Sequence, residues 1–140
     1  MDAPPIVAPV IALTAWTHLV LLWMYATRIP AVLKAGMEMD RNRPRGQQMA
    51  ELPARVRWKS DNYSHLTEHP TVFYATALAV AFVGPDDTIA LWLAWAYVGL
   101  RVVHTLIQAI YNDIMHRFAA FGLSAMVGIA LTVRAIQALL

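Results

Sequence analysis

The chain has 140 residues, 59% of them hydrophobic and 14% charged, with a net charge of +2 and no cysteine. That length bounds it to one domain, and so little polar surface excludes an ordinary soluble globule. The absence of cysteine excludes a disulfide framework, a thiolate metal site and a cysteine nucleophile.

Residues 6–26 contain no Asp, Glu, Lys or Arg. At ~1.5 Å rise per residue such a helix is roughly as long as a bilayer core is thick. Trp23 and Tyr25 stand near one end, where an interfacial aromatic belt belongs. The opening "MDAPPIVAPV" is acidic rather than basic and does not read as a cleavable signal, so this first span is expected to stay.

Residues 27–59 follow as a polar connector rich in Arg, Gln, Met and Pro, long for a small protein and without a clear period. Eight of the eleven Lys and Arg residues lie between Arg28 and Lys59. That distribution reads as a basic loop between membrane spans rather than a nucleic-acid footprint. A second span is expected over residues 60–83, made from the polar run "SDNYSHLTEHP" and the apolar run after it. Pro70 inside it predicts a kink and a freed carbonyl near Leu66. "GPDD" at 84–87 is a turn. The third span is expected at 88–111, "NDIMH" is the link, and the fourth span covers 117–140. The pattern predicts an all-α integral membrane four-helix bundle in one domain, residues 1–140. Charge asymmetry puts the basic first loop in the cytoplasm and both termini on the opposite side.

The third span carries a polar stripe. On a helix at about 100° per residue, Arg101, His104, Thr105, Gln108 and Asn112 share one face, and Tyr97 extends it. In the second span Asp61, His65 and Glu68 share a face, with Asn62 and His69 adjacent. A charge at the bilayer centre costs at least ~3 kcal/mol, so Arg101 and Glu68 need partners or water. One reading is a structural Glu68–Arg101 ion pair between helices. The other is a wet crevice open to the cytoplasm. Arg134, near the far end of the fourth span, is expected to snorkel to the surface.

Four short spans, a long basic first loop, "DNYSHLTEHPTVFYA" (Asp61–Ala75) and "RVVHTLIQAIYNDIMHRF" (Arg101–Phe118) together resemble the MAPEG family, membrane-associated proteins in eicosanoid and glutathione metabolism. Within it the chain is most similar to the bacterial branch, which implies a bacterial inner membrane. The resemblance implies a homotrimer with glutathione as cosubstrate, bound between subunits on the cytoplasmic side. Carried over by position, it assigns glutathione contacts to Asn62, His65, Glu68, Arg101, His104 and Gln108, and thiol activation to Arg117. A guanidinium there lowers the thiol pKa from ~8.5 toward neutrality by charge. Gln108 stands where the synthases of the family have a tyrosine, and Phe118 where the prostaglandin branch has a serine. The implied activity is glutathione-dependent transfer or peroxide reduction on a lipophilic substrate. The alternative is a non-catalytic trimer that binds a membrane lipid or a partner subunit. No metal and no nucleic acid are expected.

Overall fold

The computed structural model describes residues 3–44 and 46–140. Its helices are α1 (Val7–Lys34), α2 (Ala54–Glu68), α3 (Pro70–Val83), α4 (Thr88–Ile110) and α5 (Ile114–Leu139), with a 3₁₀ turn at Gln48–Glu51. No strand occurs among the described residues. Only His69 separates α2 from α3, so the architecture is four rods, one of them broken.

Each rod turns a narrow apolar seam inward. In α1 the seam is Pro9, Leu13, Val20 and Met24, and in α5 it is Ala120, Ser124, Leu131 and Ala135. Spacings of three, four and seven residues are those of helices packed nearly parallel, in the manner of four-helix bundles. The seam of the broken rod runs Asn62, Leu66, Pro70, Phe73, Ala77 and Val80, continuous across the break. Its outer faces are apolar too: Leu22 is 64% exposed, Trp92 70% and Met126 67%. A surface of that kind is stable against lipid and not against water. By length and composition α1, α4 and α5 are each able to cross a membrane.

Local chemistry accounts for the helix ends. Asp87 caps α4 by accepting from Ala90 N (3.0 Å), and Asp113 caps α5 by accepting from His116 N (2.9 Å). Pro70 occupies the first turn of α3, where a missing N–H breaks least. Gly36, at φ +60°, closes α1 with bonds from its own N–H to Leu33 O and from Met37 N to Val32 O. That pair of bonds is a Schellman ending, which needs a left-handed residue.

Three expectations are corrected. Residues 27–34 belong to α1 rather than to a connector, Pro30 included, and α2 begins at Ala54, leaving 35–53 as the connecting segment. The proline there costs one helical hydrogen bond, while Ala31, Val32 and Leu33 carry the helix on. The last helix starts at Ile114 because Asp113 caps it, so the link to α4 is shorter than "NDIMH". Arg134 does not snorkel: its Nε and Nη2 donate to Asp87 Oδ2 at 3.2 and 2.7 Å. A carboxylate within reach outcompetes water for a guanidinium at the membrane edge.

Candidate functional site

The polar stripe of α4 lies inside the helix bundle of the single chain. Arg101 and Thr105 are 0% exposed, Gln108 1% and His104 2%. Tyr97 is buried above them, stacked on Phe73 with ring centroids 4.4 Å apart. Thr105 Oγ1 accepts from Trp16 Nε1 of α1 at 3.3 Å, which ties the stripe to the first helix.

Arg101 reaches the break in the second rod. Its Nη2 donates to the carbonyl of His65 at 2.9 Å, one residue before the carbonyl that Pro70 was expected to free. No ion pair joins it to Glu68, which is exposed along with Asp61 on the outer side of α2. Packing supplies the reason. Leu66, Phe73, Ala77 and Val80 form the buried seam, which lies roughly a quarter turn or more from the Asp61–Glu68 face at about 100° per residue. Burying that apolar row turns the acids outward. Arg101 Nε and Nη1 have no hydrogen-bond partner, and neither do Asn62 Oδ1 and Nδ2, His65 Nδ1, His104 Nδ1 or Gln108 Oε1.

Imidazoles and a phenyl ring fill the space between α2, α4 and α5. The ring of His65 lies 6.0 Å from those of both His69 and His104, and His69 meets the edge of Phe121 at 4.5 Å. Arg117 stands at the start of α5, held by Nη1 donating to Asn112 Oδ1 at 2.8 Å. Asn112 itself sits at φ 53°, where the chain turns from α4 toward α5. Asparagine tolerates that left-handed conformation better than most residues, so one side chain both permits the turn and orients the guanidinium.

Two cavities of about 190 Å³ each open off this cluster. One is lined by His65, His104 and Arg117, with Ile114 and Phe118 as apolar wall. The other holds Arg101 with Tyr97, Phe73, Ser124 and Gly128. His69 and Phe121 line both and so divide them. A larger cavity, about 650 Å³, lies under the connecting segment beside Arg28, Arg57 and Asp61.

The structure thus brings His65, His104 and Arg117 together, puts Arg101 across the divide, and leaves Glu68 outside. Asn62 and Gln108 are buried but line none of these three cavities. His69, Phe121 and Ser124 were not singled out as site residues. Phe121 had a signal, since it lies one helical turn after Arg117 on the same face. Among the described residues no group of three His, Asp or Glu side chains could hold a metal ion.

Charge at the helix ends is organised as well. Asp113 is held below the usual carboxylate range by the backbone N–H of His116 and then by its ring. Burial, and then the neighbouring Arg55, push the ammonium of Lys59 down. That ammonium donates to Arg55 O at 2.8 Å and lies 5.2 Å from the centroid of the Trp23 ring. The model of the MAPEG family matches residues 6–137. No curated protein and no solved structure matches the chain.

Proposed function

Since the chain belongs to the MAPEG family, we propose that it is a membrane-embedded, glutathione-dependent transferase or peroxidase acting on lipophilic electrophiles or hydroperoxides. Family membership supports a glutathione-related role, and one geometric observation carries the rest. Arg117 lines a cavity whose other polar walls are His65, His69 and His104, with no carboxylate among them. A cation facing a cavity without a counter-charge is suited to an anion, and a thiolate is the anion this chemistry needs.

In this reading Asn112 positions Arg117, and the guanidinium lowers the glutathione thiol pKa by charge. The thiolate then attacks an electrophilic carbon or a peroxide oxygen of a substrate arriving through lipid. In conjugation a carbon–sulfur bond forms while the bond to the leaving group breaks and that group departs with the electron pair, or, on an activated alkene, while the π pair shifts to the neighbouring carbon and takes a proton from water. In peroxide reduction the O–O bond breaks, an alcohol leaves after protonation, and the sulfenic product is reduced by a second glutathione to the disulfide. In the same reading His65 and His104 donate hydrogen bonds to the tripeptide backbone. Glu68, on the outward face, is available to the γ-glutamyl ammonium of glutathione held against a neighbouring subunit of a homotrimer. The site opens to the cytoplasm, the bacterial inner membrane being the setting.

Calorimetric titration of glutathione into the detergent-purified protein tests the reading, with Arg117→Ala alongside. The expected result is binding between micromolar and millimolar (about −8 to −4 kcal/mol) and a thiolate absorbance that disappears in Arg117→Ala. No binding at millimolar glutathione refutes it. The alternative, a non-catalytic trimer that binds lipid or a partner, is favoured by Asn62 and Gln108. Their amides are buried and line none of the three cavities, so within one chain they offer glutathione no contact.

A further inference from the structure

The hydroperoxide reaction leaves one proton without a donor. When sulfur takes the outer oxygen of a peroxide, the electron pair of the O–O bond stays on the inner one. An alkoxide is about as basic as hydroxide, whose conjugate acid has a pKa of about 15.7, so it departs readily only if a proton arrives as the bond breaks. A chloride displaced from carbon needs no such help. Three imidazoles and the guanidinium of Arg117 are the ionisable walls of the cavity. The guanidinium keeps its protons, so among the described residues that line the cavity only the imidazoles are able to give up a proton and take it back.

The three imidazoles are not equivalent. His104 is 2% exposed, and its Nδ1, like that of His65, is buried without a hydrogen-bond partner. His69 is exposed. It is the single residue between α2 and α3, and it lines the neighbouring cavity as well, which puts its ring at the boundary of the Arg117 cavity rather than in its depth. Two neighbours fix that ring: His65 stacks on it at 6.0 Å with 24° between planes, and Phe121 meets it edge-on at 4.5 Å and 79°. A ring held in orientation on one side and open to exchange on the other is what a reusable proton donor requires.

We propose that His69 is the proton donor of the Arg117 site, which fits that site to hydroperoxides better than to electrophiles that lose a halide. The proposal rests on the glutathione reading above. Neutral His69 takes the proton that the glutathione thiol releases. The thiolate sulfur then attacks the outer oxygen of the hydroperoxide and an S–O bond forms. The O–O bond breaks, its electron pair goes to the inner oxygen, and that oxygen takes the proton from His69 and leaves as the alcohol. Sulfur is oxidised to the sulfenic acid, the peroxide is reduced, and His69 is neutral again for the next thiol.

The test compares two glutathione-dependent rates in the detergent-purified full chain. Reduction of cumene hydroperoxide needs a proton on the leaving oxygen, whereas conjugation of 1-chloro-2,4-dinitrobenzene expels chloride. In His69→Gln and His69→Ala the ratio of the first rate to the second should fall on the order of a hundredfold, the lower end of what a general acid supplies. Free imidazole should restore part of the peroxide rate in His69→Ala. A ratio that does not fall, or a fallen ratio that imidazole leaves untouched in His69→Ala, overturns the proposal. If neither variant folds, the wild type decides. Perbenzoic acid releases a carboxylate and needs no donated proton, so its rate advantage over cumene hydroperoxide should be smaller on the protein than with free glutathione, by on the order of tenfold. An advantage as large as in free solution overturns the proposal. Conjugation without peroxide reduction in the wild type sinks this proposal alone, while no glutathione-dependent rate on either substrate sinks the transferase reading with it.

Discussion

Removing either partner of the Asp87–Arg134 pair should loosen the end of the bundle where the α3–α4 turn meets α5, by an amount the geometry bounds. Two guanidinium nitrogens, at 3.2 and 2.7 Å, share one carboxylate oxygen, while the other oxygen caps α4 through Ala90 N at 3.0 Å. The Asp87 side chain is 12% exposed and that of Arg134 35%. Fully exposed pairs are worth about 0–1 kcal/mol, and stripping one partner from a fully buried pair costs about 3–5 kcal/mol. An intermediate site whose carboxylate keeps its capping bond should give a coupling of about 1–2 kcal/mol. The double-mutant cycle is Asp87→Asn, Arg134→Gln and both together, unfolded in mixed micelles and followed by far-ultraviolet circular dichroism. Acid adds a second reading. The Asp87 carboxyl is held below its ordinary value of 3.8, first by the Ala90 N–H and then by Arg134. A depressed folded pKa contributes stability that is complete above 3.8 and drains away as the pH falls from there through the lowered value. Arg134→Gln should shrink that acid-sensitive portion without abolishing it, because the capping bond remains. A coupling below about 0.3 kcal/mol, within the scatter of independent sites, together with unchanged acid sensitivity, would refute the claim that the pair holds α5 to the turn.

Two further substitutions test the buried polar row. Asn62→Leu removes an amide with both polar atoms unpartnered and should raise stability by about 1 kcal/mol in thermal unfolding. A fall of similar size would mean that an ordered water or a ligand satisfies the amide. Thr105→Val breaks the bond from Trp16 Nε1 at 3.3 Å and should cost about 1 kcal/mol. Its tryptophan emission should change, and an unaltered spectrum would count against α1 and α4 being tied at that point.

Much of this arrangement was legible because it depends on periodicity. The arc that gathers Arg101, His104, Thr105 and Gln108 follows from the helical repeat alone, and these four residues are buried together. The break beside Pro70 follows from a missing N–H. The orientation of α2 was harder, because two faces compete in its sequence. Asp61, His65 and Glu68 make a regular polar row, while Asn62 and Leu66 look like a weak apolar one until the row is carried past Pro70 to Phe73, Ala77 and Val80. The whole rod decides, since the apolar area gained along α3 exceeds what a few acids gain by facing inward. A reading that stops at the proline has no means of telling that Glu68 faces outward rather than toward Arg101.

Contacts between residues distant in sequence were not legible at all. Arg134 finds Asp87 across 47 positions, and periodicity carries no information about which neighbour a surface cation meets. The division between Arg101 and Arg117 is of the same kind. Both look like members of one cytoplasmic charge cluster, yet the packing of α5 against α4 sets Phe121 and His69 between their cavities. The consequence is chemical as well as geometric. Two cations sharing one pocket would repel each other and call for a doubly charged ligand. Held apart by His69 and Phe121, each lines a cavity of its own.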